Sequence, residues 1–172
     1  RAERMGCSFH LETVSDLSKV PGDVVVNCVG LGARDLCDDE EVVPARGQVI
    51  FVEQDPGIGH FDQQPETLTY TIPRSDVTVL GGTAQIGDWV MEIRDEDNDL
   101  ILGKVEALWP DLDRSKIIGG TVGLRPSRSE VRLEVETIEG RAVVHNYGHG
   151  GAGVTLSWGC ADEVVSLVSQ SA

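Results

Sequence analysis

One stretch of the sequence removes side chains almost continuously: "YGHGGAGVTLSWG", residues 147–159. A run that reads as a strand, Ala142 to Tyr147, passes into "GHGGAG", and an apolar helix begins at about Val154. Such a junction aims the free N–H groups and the positive end of a helix beyond the strand, and glycines let a ligand touch the backbone directly. An anion, or a ring able to carry negative charge, is favoured there. The spacing is not G-x-G-x-x-G, so the dinucleotide fingerprint is not met. By itself the cluster reads equally well as a turn that changes the chain's direction.

Two side chains elsewhere suit the same chemistry. Arg125, in "VGLRPSR" (residues 122–128), precedes proline at the end of a strand, which keeps its backbone extended. It can present a permanently charged fork that grips a carboxylate with two parallel hydrogen bonds. Tyr70, in "LTYTIPR", can add a hydroxyl to the same carboxylate. Taken singly, an arginine in so acidic a chain is more often a surface ion pair, and a strand tyrosine is more often packing.

The elements that must position these residues fall into two textures. "RAERMG" reads as the last turn of a helix with a glycine stop, "CSFHLETV" as an alternating strand, and "DVVVNCVG" as a strand apolar on both faces, as in a parallel sheet covered by helices. A short helical turn spans Leu31 to Leu36. From Gln48 the pattern turns antiparallel: "QVIFVEQ", "TLTYTIPR" and "VTVLGGTAQIGDW" alternate, the last with an expected glycine bulge. "DEDNDLILGKVEALWPDL" has helical apolar spacing at Leu100, Val105 and Leu108, an acidic first turn and a stop at Pro110. "VRLEVETIEGRAVVHNYG" reads as a hairpin around Glu139 and Gly140, and the last helix runs to about Val168. The expected class is α/β with α+β character. Residues 1–47 and 141–172 form part of a nucleotide-binding layer, and residues 48–140 an antiparallel sheet with one helix.

Composition sets limits. The chain has 172 residues with 29 acidic against 14 basic side chains, a formal net charge of −15. That field repels phosphate backbones and anionic lipid heads, so nucleic-acid and membrane partners are not expected. No apolar run approaches the ~20 residues of a membrane span. The four cysteines, Cys7, Cys28, Cys37 and Cys160, lack metal-ligand spacing and read as buried thiols of a reducing cytoplasm. No metal is expected. Few lysines among the basic residues, with abundant Ala, Gly, Val and Asp, point to a GC-rich bacterial genome.

The segments "VVNCVG", "RGQVIFVE", "YTIPR", "VTVLGGTAQIGDW", "VGLRPSR" with "VRLE", and "HNYGHGGAGVTLSWG" together resemble the D-amino-acid oxidase family, in its order and spacing. The resemblance covers nearly the whole chain and matches the C-terminal half of the family. It implies the C-terminal part of a Rossmann-like FAD-binding domain plus an antiparallel substrate-binding domain. The implied activity oxidises D-amino acids with FAD and dioxygen, giving 2-oxo acids, ammonia and hydrogen peroxide. By the same resemblance, Arg125 binds the substrate carboxylate, Tyr70 is its hydroxyl partner, and the Gly151 carbonyl accepts from the amino group. Gly150, Gly151, Ala152, Gly153, Val154 and Thr155, with Arg125, correspond to the surroundings of the isoalloxazine ring. Val14, Cys28, Val29 and Gly30 correspond to the adenosine site. No side-chain acid or base is implied, because hydride transfer to flavin from a neutral amine needs alignment and electrostatics rather than a protein base. His149 is then a structural neighbour.

The sequence also departs from that pattern. Glu66 stands where many relatives place a lid aromatic, which implies a more open pocket, and Ala84 stands where D-aspartate oxidases place an extra arginine, which implies neutral substrates. The family's G-x-G-x-x-G segment has no counterpart here, so a separate companion half carrying it is expected, and a homo-oligomer is left open. Two alternatives remain at this stage: a glycine or sarcosine-type amine oxidase, and a non-catalytic binding remnant of the fold.

Overall fold

The computed structural model describes residues 1–62 and 68–171. Among them, eight strands form one sheet: β1 (Val24–Asn27), β2 (Val43–Val52), β3 (His60–Phe61), β4 (Tyr70–Pro73), β5 (Thr78–Gly81), β6 (Gln85–Ile86), β7 (Ile117–Ile138) and β8 (Arg141–His149). The order is β1-β8-β7-β2-β5-β4-β3, with β6 also paired to β2. Only β1 and β8 run parallel. Helices α1 (Ala33–Leu36), α2 (Asp95–Leu108) and α3 (Gly153–Ser171) complete the mixed α/β architecture expected from the sequence.

Local chemistry accounts for the main elements. The β7–β8 turn is two residues long, with Ile138 facing Arg141, and both Glu139 (φ 50°) and Gly140 (φ 82°) are left-handed, as a type I′ hairpin turn requires. In α2, Asp95, Glu96 and Asp97 occupy the first turn, where the helix dipole favours negative charge. Its buried stripe is Ile101, Leu102 and Val105, continued by Trp109, and it packs on Ile50 and Val52 of β2 and Leu80 of β5. Leu100, expected on that stripe, is instead 47% exposed, because the spacing 101, 105, 109 turns residue 100 off the contact face.

Other sequence expectations also change. Residues 7–14 form no strand: no described segment offers them a ladder, and a strand's backbone groups need partners. β1 lies at the sheet edge with β8 as its neighbour, leaving Val26 exposed. The glycine bulge expected in "VTVLGGTAQ" is absent, since β5 pairs with β2 in unbroken register up to Gly81 and the Gly81–Gly82 peptide is cis. Register shifts fall instead between Phe51 and Val52, and between Ser127 and Arg132. The cysteines are free, but Cys7 and Cys28 are exposed and Cys37 and Cys160 half-buried, so the buried-thiol expectation does not hold. No helix among the described residues is long and apolar enough to cross a membrane.

Two buried polar clusters brace the sheet. On β2, Arg46 is fully buried and all five of its N–H groups find acceptors: Nε donates to the Val90 carbonyl, Nη1 to Gln85 Oε1 and Asp97 Oδ2, and Nη2 to Gln48 Oε1 and the Glu92 carbonyl, at 2.6–2.9 Å. Gln48 continues the network to the Arg94 carbonyl, Asn98 and Thr83. This ties α2 and the segment around residues 83–94 to the back of the sheet.

Near β1, the His145 ring is fully buried. Asn27 Nδ2 lies 3.1 Å from His145 Nδ1 and acts as donor, which leaves the proton on Nε2, 3.0 Å from Glu136 Oε2. Burial and the nearby Arg132 charge push the His145 pKa below its ordinary 6.5, against the opposing pull of Glu136 and Glu134. The unfolded chain therefore binds this proton at a higher pH than the folded one. The contribution is fully present above pH 6.5 and is lost as pH falls through the depressed folded value. Urea unfolding between pH 7.5 and 5.5 should show this loss, and a His145→Gln variant should show a flatter profile; an unchanged slope would rule out the role.

Candidate active site

Strand register places the predicted residues on one face. Antiparallel partners share a face, so Ser127 opposite Val43, Arg125 opposite Ala45, and Gly47 opposite Gly123 line one side of the β2–β7 ladder. Val49 opposite Gly81, and Gly81 opposite Tyr70, extend that side across β5 to β4. Arg46, Gln48, Ile50 and Leu80 alternate to the opposite side, where α2 packs. Period-two alternation thus separates the side that carries Arg125 and Tyr70 from a core side.

Arg125 and Tyr70 lie flat against backbone. A Cβ added to Gly47 would fall inside the Arg125 guanidinium, and a Cβ added to Gly81 would fall inside the Tyr70 phenol. Arg125 Nη1 donates to the Thr83 carbonyl at 3.4 Å, and Thr83 Oγ1 accepts from the Gln48 backbone N–H at 2.9 Å, so the arginine leans on a residue held by the buried Arg46 network. Phe61 stacks beside Tyr70 with ring centroids 6.3 Å apart. The glycines and Thr83 escape sequence reasoning. The one available signal was glycine at strand positions, which marks close approach of other atoms.

Arg125, Tyr70, Gly150 and Gly151 open into a single cavity of about 380 Å³. Among the described residues its other walls are Ala45, Leu68, Ala84, Ile86 and Ser127, so apart from Arg125 and the tyrosine hydroxyl this described lining is small or apolar and holds no histidine or carboxylate. Ala84 thus lies in the cavity wall, and Glu66 falls outside the described residues.

The glycine stretch is built as a helix entry. Gly148 (φ 88°) and Gly150 (φ 55°) take conformations that disfavour other residues, Gly150–Ala152 form a single 3-10 turn, and α3 follows from Gly153. No side chain caps this junction, and Gly151, Ala152, Val154 and Thr155 are exposed. Exposed, uncapped helix-start N–H groups beside a cavity wall suit a ring that gains negative charge, so these residues fit the isoalloxazine of a flavin. Among the adenosine candidates, Gly30 (φ 60°) sits against Pro126, the neighbour of Arg125, but it lies outside the cavity lining, as do Val14, Cys28 and Val29. His149 places Nε2 3.4 Å from Cys160 Sγ. Among the described residues there is no cluster of His, Cys, Asp or Glu able to hold a metal ion.

Comparison with known proteins bears on the family and the fold. Residues 1–167 match the family described as FAD dependent oxidoreductase. D-amino-acid oxidase of Rubrobacter xylanophilus is 46% identical over 97% of this chain and 53% of its own length. D-amino-acid oxidase of Streptomyces coelicolor is 45% identical over 91% and 50%, and human D-aspartate oxidase is 44% identical over 86% and 44%. The chain therefore spans about half the length of the curated relatives it matches. Among solved structures, glycine oxidase from Geobacillus kaustophilus superposes with a TM-score of 0.72 at 22% identity, covering 87% of this chain and 42% of that one, a likeness of fold.

Proposed function

Because this chain belongs to the FAD-dependent oxidoreductase family, we propose that it forms the substrate-facing half of an oxidase of neutral D-amino acids. Bound FAD would supply the hydride acceptor and pass the electrons to dioxygen, with hydrogen peroxide, ammonia and a 2-oxo acid as products. Gly150 to Thr155 would lie along the isoalloxazine, while Val14 and Cys28 to Gly30 would face the adenosine. The remaining G-x-G-x-x-G segment would come from the part of the relatives' length that lies outside this chain. Residues 1–47 and 141–172 would then belong with the flavin-binding domain, and 48–140 would carry substrate recognition. Four free thiols suit a cytoplasmic setting.

The observation that carries this reading is the single cavity joining Arg125, Tyr70 and Gly151. A zwitterion has one anionic and one cationic end; the cavity supplies a guanidinium for the first, and the Gly151 backbone in its wall would offer a carbonyl to the second. Arg125 would grip the carboxylate, the Tyr70 hydroxyl would donate to it, and the Gly151 carbonyl would accept from the amine. Gripping both ends of the amino acid fixes Cα toward the helix start, and orientation of this kind supplies much of the barrier reduction. Among the described residues the lining offers no base, which suits a substrate that arrives with a neutral amine.

Curated relatives include both D-amino-acid and D-aspartate oxidases, so identity alone leaves the side-chain class open. Ala84, Ile86 and Leu68 line the cavity, with no second cation among the described residues, which favours neutral side chains. The full-length polypeptide should be yellow and should turn over D-alanine or D-valine at least about tenfold better by kcat/KM than D-aspartate. A colourless protein would overturn the oxidase reading. A preference for D-aspartate would overturn the neutral pocket, and a preference for glycine or sarcosine would move the assignment to the second amine-oxidase reading.

A further inference from the structure

The geometry points to Gly47 and Gly81 as positioning residues, which hold Arg125 and Tyr70 flat on the sheet by leaving the space that a single methyl group would fill. The inference rests on the reading that Arg125 and Tyr70 receive the substrate carboxylate. Neither glycine has a positive φ, so a left-handed backbone does not explain them. Space does. A Cβ on Gly47 would overlap the Nη1, Cζ and Nη2 atoms of Arg125, and a Cβ on Gly81 would overlap the Cζ, Cε2 and hydroxyl of Tyr70.

The two seats act alike. Gly47 and Gly81 lie on the same face of adjacent strands, each pressed by the side chain that crosses it, and Gly82 also approaches the Tyr70 hydroxyl at 3.2 Å from its Cβ position. A guanidinium resting on strand backbone cannot swing toward the sheet, and Thr83 bonds its Nη1 from one side. Arg125 lines the cavity from this seat, and the close backbone on one side restricts its rotamers. That lowers the entropy lost when a carboxylate is bound, which is how preorganisation raises affinity. The neighbouring Gly123, opposite Gly47 in the same ladder, meets nothing within 4 Å of its Cβ position and provides a strand-matched comparison.

The test uses the full-length, flavin-loaded protein. Gly47→Ala should raise the KM for D-alanine by roughly 10- to 100-fold, and should weaken a competing monocarboxylate, titrated by flavin absorbance, by the same factor. The flavin spectrum and melting temperature should stay unchanged. Gly81→Ala should lower kcat/KM through Tyr70, and Gly123→Ala should match the wild type. Equal effects at Gly47 and Gly123, whether both absent or both large, would overturn the seats.

Should Gly47→Ala fail to fold, the same change is made with Arg125→Leu, which vacates the space. Recovered folding supports the seat, and continued failure overturns it. Turnover surviving Arg125→Leu alone would sink the carboxylate reading itself. Lost turnover in Arg125→Leu, beside a wild-type Gly47→Ala, would sink only the seats.

Discussion

Replacing Arg125 by leucine is expected to lower kcat/KM for D-alanine by about three orders of magnitude while the flavin spectrum stays intact. Among the described residues Arg125 is the only cation in the cavity lining, which it shares with Tyr70 and Gly151. Removing it takes away the charge-assisted hydrogen bonds to the carboxylate and the reference point that aligns Cα. Leucine keeps most of the apolar stem, so the contact with Gly151, whose Cβ position lies 3.7 Å from Arg125 Cδ, is largely retained. Steady-state kinetics with D-alanine, beside a visible spectrum of the same preparation, checks the result. Unchanged turnover would refute the carboxylate role, and lost colour would move Arg125 from substrate to cofactor retention. Lysine at this position should rescue little, because a point charge lacks the planar fork.

Arg46 should dominate stability instead. It is completely buried, and its substitution by methionine would leave the Asp97 carboxylate, 4% exposed, with the Gln85 amide at 2.8 Å. The Val90 and Glu92 carbonyls would lose the same donor. Breaking a buried ion pair from one side costs about 3–5 kcal/mol, because the surviving charge stays desolvated. For a chain of this size, that corresponds to a melting temperature lower by roughly 6–20 °C. A paired Arg46→Met, Asp97→Leu variant should recover much of the loss, since it removes both charges together. Calorimetry of the two variants separates the cases. A single variant as stable as the wild type would show that the network contributes little.

Arg46 and Arg125 show what kind of information each level holds. Both are arginines on strands, and the sequence favoured Arg125 because the following proline fixes its backbone. The burial of Arg46 depended on α2 folding back to offer Asp97, 51 positions away, together with carbonyls from residues 90 and 92. No local pattern encodes that meeting. The same holds for residues 7–14, where alternation suggested a strand but no neighbour supplies a ladder. Leu100 likewise kept the apolar character of a core residue while the helix stripe chose 101, 105 and 109.

Local backbone rules are written in the sequence, and there it sufficed. Glycine and proline placement located the β7–β8 turn, the helix entry after His149 and the extended backbone at Arg125, because φ preferences act within a residue or two. The motif order identified the family and the candidate ligand residues. Only the tertiary structure decided that Tyr70, Arg125 and Gly151 share one cavity, since that depends on the register of β2 against β7 and β5, and a one-residue slip would send every side chain to the other face. Only it revealed why Gly47 and Gly81 carry no side chain: the atoms that need the space arrive from a neighbouring strand.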